Sequence, residues 1–254
     1  MSVIEKPSKI LGYERADGSF GIRNHVAIIP TVCCTNEVAK KISDQVEGTV
    51  AIPHECGCEV TSQLEIPTRT LIGVGRHPNV AAVMLISLGC ETMDCEYVAN
   101  EIDKSKKPVE VIVTQESGGT IKATEKGVRI AQKMIQDASK LEIKFNDVSA
   151  LVVGLKCGGS DLTSGLAANP AVGVASDMIV NGGGTVFMGE TPEIMGAEHL
   201  LVKRSANKRV VKRIYEIIDW WEQRAKNEGV RFHLITSGNI EGGLTTIEEK
   251  SLGA

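Results

Sequence analysis

Short, nearly unbroken aliphatic runs recur along the chain and alternate with stretches of helical period. The runs are His25–Pro30, Thr49–Pro53, Ala82–Leu88, Val109–Thr114, Ala150–Leu155 and Thr185–Met188. A strand with one wet face alternates apolar and polar residues. A strand covered on both faces reads as a continuous apolar run, as in a parallel sheet. Between the runs, Val38, Ile42 and Val46 share one helical face, and Val128, Ala131 and Ile135 share another. Residues 173–180 read as a further helix. Residues 207–227 carry the clearest stripe: Val210, Ile214, Ile217, Ile218 and Trp221, with Ser205 expected as its cap and Gly229 after its end. Strand–helix alternation predicts an α/β fold, a mostly parallel sheet flanked by helices, Rossmann-like in layout. Residues 25–229 are the expected core, 1–24 an extension packed on it, and 230–254 the start of a C-terminal segment.

Composition bounds the function. The 254 residues are 42% hydrophobic but only 4% aromatic, so the core must be aliphatic. The formal net charge is −4 and no long basic run occurs, which excludes a nucleic-acid footprint. The apolar runs fall short of the roughly 20 residues a membrane helix needs. The first residues lack the apolar stretch of a secretory signal, so a cytoplasmic protein is expected. In that compartment seven cysteines are thiols, metal ligands or redox groups rather than structural disulfides.

The residues that follow each expected strand carry chemistry. They are Cys33 and Cys34; His54, Cys56 and Cys58; Cys90 and Glu91; Gln115, Glu116, Gly118 and Gly119; Cys157 to Asp161; and Gly189 with Glu190. In an open parallel sheet these ends lie along one edge, where ligands bind. Several thiols with an imidazole suit iron, an iron–sulfur cluster or zinc. Cys33 and Cys95 read as small buried hydrophobes. The turns SGGT (117–120) and CGGSD (157–161) offer backbone N–H groups to a carboxylate or phosphate. Neither fits the dinucleotide fingerprint, and no P-loop is present. His25 and His77 read as structural, His233 as exposed, and His199 as either a surface or a site residue.

Six motifs in order resemble the altronate dehydratase / D-galactarate dehydratase family: GYERADGSFGIRN (12–24), SLGCE (87–91), QESGGT (115–120), GLKCGGSDLTSGLAANPAVG (154–173), ETPEIMGAEHLL (190–201) and GNIEGGLTTIEEKSLG (238–253). The resemblance implies a hydro-lyase that converts a sugar acid to a 2-keto-3-deoxy acid, aided by ferrous iron. A related branch eliminates sulfite from sulfolactate. It also implies that a small N-terminal domain or separate small subunit, and a longer C-terminal segment, lie outside these residues. A homo-oligomer is expected. In the family pattern one cysteine follows the first strand, matching Cys34, and a glycine–cysteine pair matches Gly57 and Cys58. This puts Cys34, Cys58, Cys90 and Cys157 forward as metal ligands, and His199 is a further candidate ligand from its own motif.

Removal of water from a 2,3-dihydroxy acid requires a base at the carbon next to the carboxylate, stabilisation of the enolate and an acid for the leaving hydroxide. His54, Glu116 and Glu190 are the candidates for proton transfer. Arg23, Asn24, Gly118, Gly119, Thr120, Gly158, Gly159, Ser160 and Asp161 are the candidates for holding the substrate. Glu190, Glu193, Glu198 and His199 form an alternative, harder ligand set for iron.

Overall fold

The computed structural model describes residues 9–158, 160–230 and 235–253. The chain divides into two compact units, 9–147 and one built from 148 onward.

The first unit contains strands β1 (Lys9–Glu14), β2 (Phe20–Gly21), β3 (His25–Pro30), β4 (Thr49–Ala51), β5 (Val80–Ser87), β6 (Val109–Val113) and β7 (Lys144–Asp147). Its helices are α1 (Asn36–Ser43), α2 (Thr61–Arg76), α3 (Cys95–Asp103) and α4 (Thr120–Ala138). A parallel sheet runs in the order β4-β3-β5-β6. Every residue of β5 is buried, as are five of the six in β3. Successive side chains point to opposite faces of a strand, and both faces are covered. Val26, Ile28, Met84 and Ile86 pack against Val38 and Ile42 of α1 and Ala131 and Met134 of α4. Ala27, Ile29, Val83 and Leu85 pack against Leu64 and Leu71 of α2 and Val98 and Ile102 of α3. That double cover is why these runs read as unbroken. β1 joins β2 and β7 in a separate antiparallel sheet, so residues 9–21 are tied to the far end of this unit by strand pairing.

The second unit contains β8 (Val152–Leu155), α5 (Asn169–Asn181), β9 (Thr185–Met188), α6 (Glu198–Arg204), α7 (Lys208–Asn227), α8 (Ser237–Glu241) and α9 (Ile247–Leu252). β8 and β9 form a two-stranded parallel sheet. The fold is α/β with a mostly parallel sheet between helices, as expected. The expectation that six runs share one sheet edge is corrected: four lie in the first unit's sheet and two in the second's. Continuous apolar runs mark strands and leave strand partners unassigned. The cap of α7 is also corrected. Asn207, not Ser205, accepts from the N–H groups of Arg209 (3.0 Å) and Val210 (3.1 Å), because its backbone is extended just before the first helical turn. Gly229 follows that helix with φ +68°, as the sequence predicts. Among the described residues no helix is long and apolar enough to cross a membrane.

Candidate functional site

In the order β4-β3-β5-β6 the chain leaves β3 toward β4 and then crosses back to β5. The loops after β3 and β5 therefore diverge, and the crevice between them is the place where open α/β sheets bind ligands. Thr31, just past β3, donates to Glu91 Oε1 at 2.6 Å across this switch point. Glu91 also accepts from the N–H groups of Leu88 (3.2 Å), Gly89 (2.7 Å) and Cys90 (3.1 Å). Burial alone would raise the Glu91 carboxyl, but hydrogen bonds from Ser87, Thr31 and the backbone outweigh it and hold the group below its ordinary value. Glu116 lines a groove of about 540 Å³ beside Glu91, with Ser87, Gly89 and Asp94.

The His54–Cys58 loop closes the same edge. Cys33 N–H donates to Cys56 O (2.9 Å), while Gly57 O accepts from Thr92 N–H (3.0 Å) and Met93 N–H (3.1 Å). Asn36 clamps His54, donating to its carbonyl at 2.8 Å. Both ring nitrogens of His54 are occupied. Cys56 N–H donates to Nδ1 (3.1 Å), and Nε2 lies 2.6 Å from Pro30 O. A backbone N–H can only donate and a carbonyl can only accept, so Nε2 carries the proton. The imidazole thus locks the loop to the end of β3. Burial pushes the Cys33 and Cys56 thiols up, with the neighbouring Cys34 adding to the first and Glu59 to the second. Cys34, Cys58 and Cys90 are exposed free thiols on this edge.

In the second unit three separated segments meet at a pocket of about 240 Å³ lined by Cys157, Ser160, Asp161, Asn169, Glu193 and Lys250. Lys250 Nζ and Glu193 Oε1 form an ion pair at 2.8 Å, with both side chains mostly buried. Cys157 Sγ lies 3.0 Å from Ser160 Oγ. Burial raises the Cys157 thiol and Glu193 adds to the rise, opposed by Ser160 and Lys250. Asn239 fixes the turn by donating to Ser160 O at 2.9 Å. Asp161 organises the same turn, accepting from Thr163 (2.6 Å) and from Ser164 N–H (3.0 Å).

The structure brings His54, Cys34, Cys58, Cys90 and Glu116 to one edge of the first unit's sheet, and Cys157, Ser160 and Asp161 to the pocket of the second. Gly118 and Gly119, both at positive φ, turn the chain from β6 into α4, whose first residue is Thr120. Arg23 and Asn24 lie at the opposite edge, before β3. Asn24 donates to Ala138 O (2.8 Å) and accepts from Arg15 (2.8 Å), and exposed Arg23 donates to the carbonyl of Ile22. Glu190, at φ +56° after β9, pairs with Lys156 at 3.2 Å, the lysine largely and the glutamate partly exposed. His199 is exposed on α6 and Gly158 is exposed beside Cys157. Gly159 and His233 lie outside the described residues. Among the described residues no three His, Cys, Asp or Glu side chains gather to hold one ion. Among the described residues the expected thiolate donors are therefore divided between the first unit's sheet edge and the second unit's pocket. Lys250, and the pairing of Thr31 with Glu91, escaped the sequence reading. The only signal for Lys250 was its place inside the 238–253 motif.

Comparison with known proteins supplies the context. The family model for the second domain of D-galactarate dehydratase/altronate hydrolase matches residues 12–139, and that for the C-terminal part of D-galactarate/altronate dehydratase matches 148–254. The beta subunit of (2R)-sulfolactate sulfo-lyase from Chromohalobacter salexigens is 41% identical over 98% of this chain and 64% of its own length. Altronate dehydratase from Bacillus subtilis is 34% identical over 95% of this chain and 51% of its own. Galactarate dehydratase (L-threo-forming) from Escherichia coli is 35% identical over 96% of this chain and 51% of its own. The chain thus spans about half to two thirds of these relatives.

Proposed function

The chain belongs to the D-galactarate/altronate dehydratase family, and from that premise we propose that it carries part of the catalytic machinery of a lyase acting on a hydroxy acid. The reaction is elimination from a sugar acid such as altronate or galactarate. A proton leaves the carbon next to the carboxylate, hydroxide leaves the adjacent carbon, and the enol formed becomes a 2-keto acid. The observation that carries the reading is the pocket where segments 157–169, Glu193 and 244–253 meet around a thiol, a hydroxyl and an ion pair. In this reading the Glu193–Lys250 pair moves and holds protons, and Ser160 and Asn169 orient substrate hydroxyls. Glu190, a partly exposed carboxylate of the same unit, remains a candidate for proton transfer. His54 is a positioning residue, since both its ring nitrogens have partners.

A second reading has a specific observation in its favour. The sulfo-lyase subunit is 41% identical over nearly the whole chain, against 34–35% for the two dehydratases. Elimination of sulfite instead of water uses the same proton removal and yields a 2-keto acid too. The test is to incubate the protein, with ferrous iron under anaerobic conditions, with altronate, galactarate or (2R)-sulfolactate and to follow 2-keto acid and sulfite. Glu193→Gln is expected to lower kcat by about 10²–10⁴-fold. Sulfite release would select the second reading. No 2-keto acid from any of the three, with the unmatched part of the Chromohalobacter salexigens sulfo-lyase subunit also added, would overturn both.

A further inference from the structure

The β8–β9 unit has the surface of an opened core. Parallel sheets are found with both faces covered, and a two-stranded sheet alone is marginal in water. In the register Val152↔Thr185 and Gly154↔Phe187, one face of the sheet presents Val152, Gly154 and Phe187. Val152 is 63% exposed and Phe187 57%. Helix α5, NPAVGVASDMIVN, has apolar residues all round and one charged residue, Asp177, yet buries none of its side chains. A helix of that composition belongs in an interior. The contrast with the first unit is internal to this chain, since there the parallel strands β3 and β5 are sealed on both faces. Among the described residues, no third strand pairs with β8 or β9.

We propose that this apolar face and the open sheet edges are a docking surface for a further β-strand and its connecting helix, supplied by the part of the family's polypeptide that these residues do not match. Two observations select this occupant. Between a third and a half of each curated relative's length lies outside the match. The exposed groups also require main-chain pairing along a strand edge as well as apolar cover, which is what strand addition provides.

The test uses the 254-residue protein with the unmatched part of the Chromohalobacter salexigens sulfo-lyase subunit as the probe, read by hydrogen exchange. The expected result is exchange at least about tenfold slower in α5 and β9 when the probe is added, with β3 and β5 unchanged. The double variant Val152→Lys, Phe187→Lys places two charges on positions more than half exposed; its unchanged exchange in α7 without the probe is the folding control, and it is expected to abolish the protection. Protection that survives the double variant overturns the assignment of this face. Exchange unaltered by the probe at tens of micromolar overturns the proposal. Protection that instead rises with this protein's own concentration, alongside a dimer in light scattering, overturns it in favour of a second copy.

Discussion

Gly57 is the position where a single methyl group is expected to do most damage to the switch-point edge. It is buried, its φ is +132°, and a Cβ built there would lie 2.5 Å from Val32 Cα and 2.7 Å from Thr31 O. Neither is the movable end of a side chain. An alanine at that φ costs about 1–3 kcal/mol in backbone strain, and the overlap adds about 1–3 kcal/mol more. The alternative is for the Cys56–Gly57 part of the loop to lift away while His54 stays bound to Pro30 O. That breaks the bonds from Cys33 N–H to Cys56 O and from Thr92 and Met93 N–H to Gly57 O, at about 1 kcal/mol each. Release at about 3 kcal/mol competes with strain plus overlap, so the loop in Gly57→Ala detaches. The amides of Cys33, Thr92 and Met93 should then exchange about 100-fold faster, and the Cys56 and Cys58 thiols should react faster with a disulfide reagent. Global melting is the wrong readout, because two compact units need not unfold together. Gly73→Ala is the control: it lies inside α2 with nothing within 4 Å of the built Cβ and should stabilise by about 0.5–1 kcal/mol. Exchange at the three amides within threefold of the parent would refute the argument.

Glu91→Gln should cost about 1–3 kcal/mol, because an amide puts a donor against the cradle of N–H groups. The Glu91 carboxyl is held below its ordinary 4.5, so its contribution is complete above that pH and fades as pH falls through the folded value. Acid titration of the first unit's stability should flatten in the variant. Lys107, 4% exposed, donates to His77 O (2.6 Å) and Gly75 O (3.3 Å) at the end of α2. Burial, then the adjacent Arg15, pushes it down to about 8 from 10.5, with Asp17 opposing. The unfolded chain then holds the extra proton between those values, so stability rises with pH across that window, and Lys107→Met should remove the rise in denaturant titrations. Asn207→Ala removes the two-bond cap of α7 and should cost about 1 kcal/mol, read as faster exchange in its first turn.

The buried runs were legible because burial on both faces writes itself into composition. His25–Pro30 is bounded where the residues place it, whereas β5 begins two residues before and ends one residue before the expected Ala82–Leu88. Helix α2 was not legible. Its Pro67 argues against a helix interior, yet the turn is held by Leu64 and Leu71 packing on β3 and β5. β1 and β7 escaped as well, since Leu11 and Phe145 stay exposed and the pairing joins residues about 130 positions apart. Local pattern carries no signal for that pairing.

The site was legible as residue types and illegible as an arrangement. Reading cysteines, carboxylates and glycines after every strand identifies which ends hold chemistry, because a side chain there leaves the packed sheet. It does not say which ends are neighbours. β4 lies outside β3, so β3 and β5 are adjacent, and only that order sets Thr31 against Glu91. The same limit explains His54. From sequence, an imidazole between a strand and a cysteine pair reads as a base. Its chemistry is decided by two partners, Pro30 O and Cys56 N–H, and the first lies on a different strand. Lys250 shows the converse. A lysine among glutamates near the chain's end reads as a solvated charge, and it becomes a site residue only because α9 packs it against Glu193, fifty-seven positions earlier. Chemistry that depends on one side chain survives in the sequence, while chemistry that depends on a pair is written only in the fold.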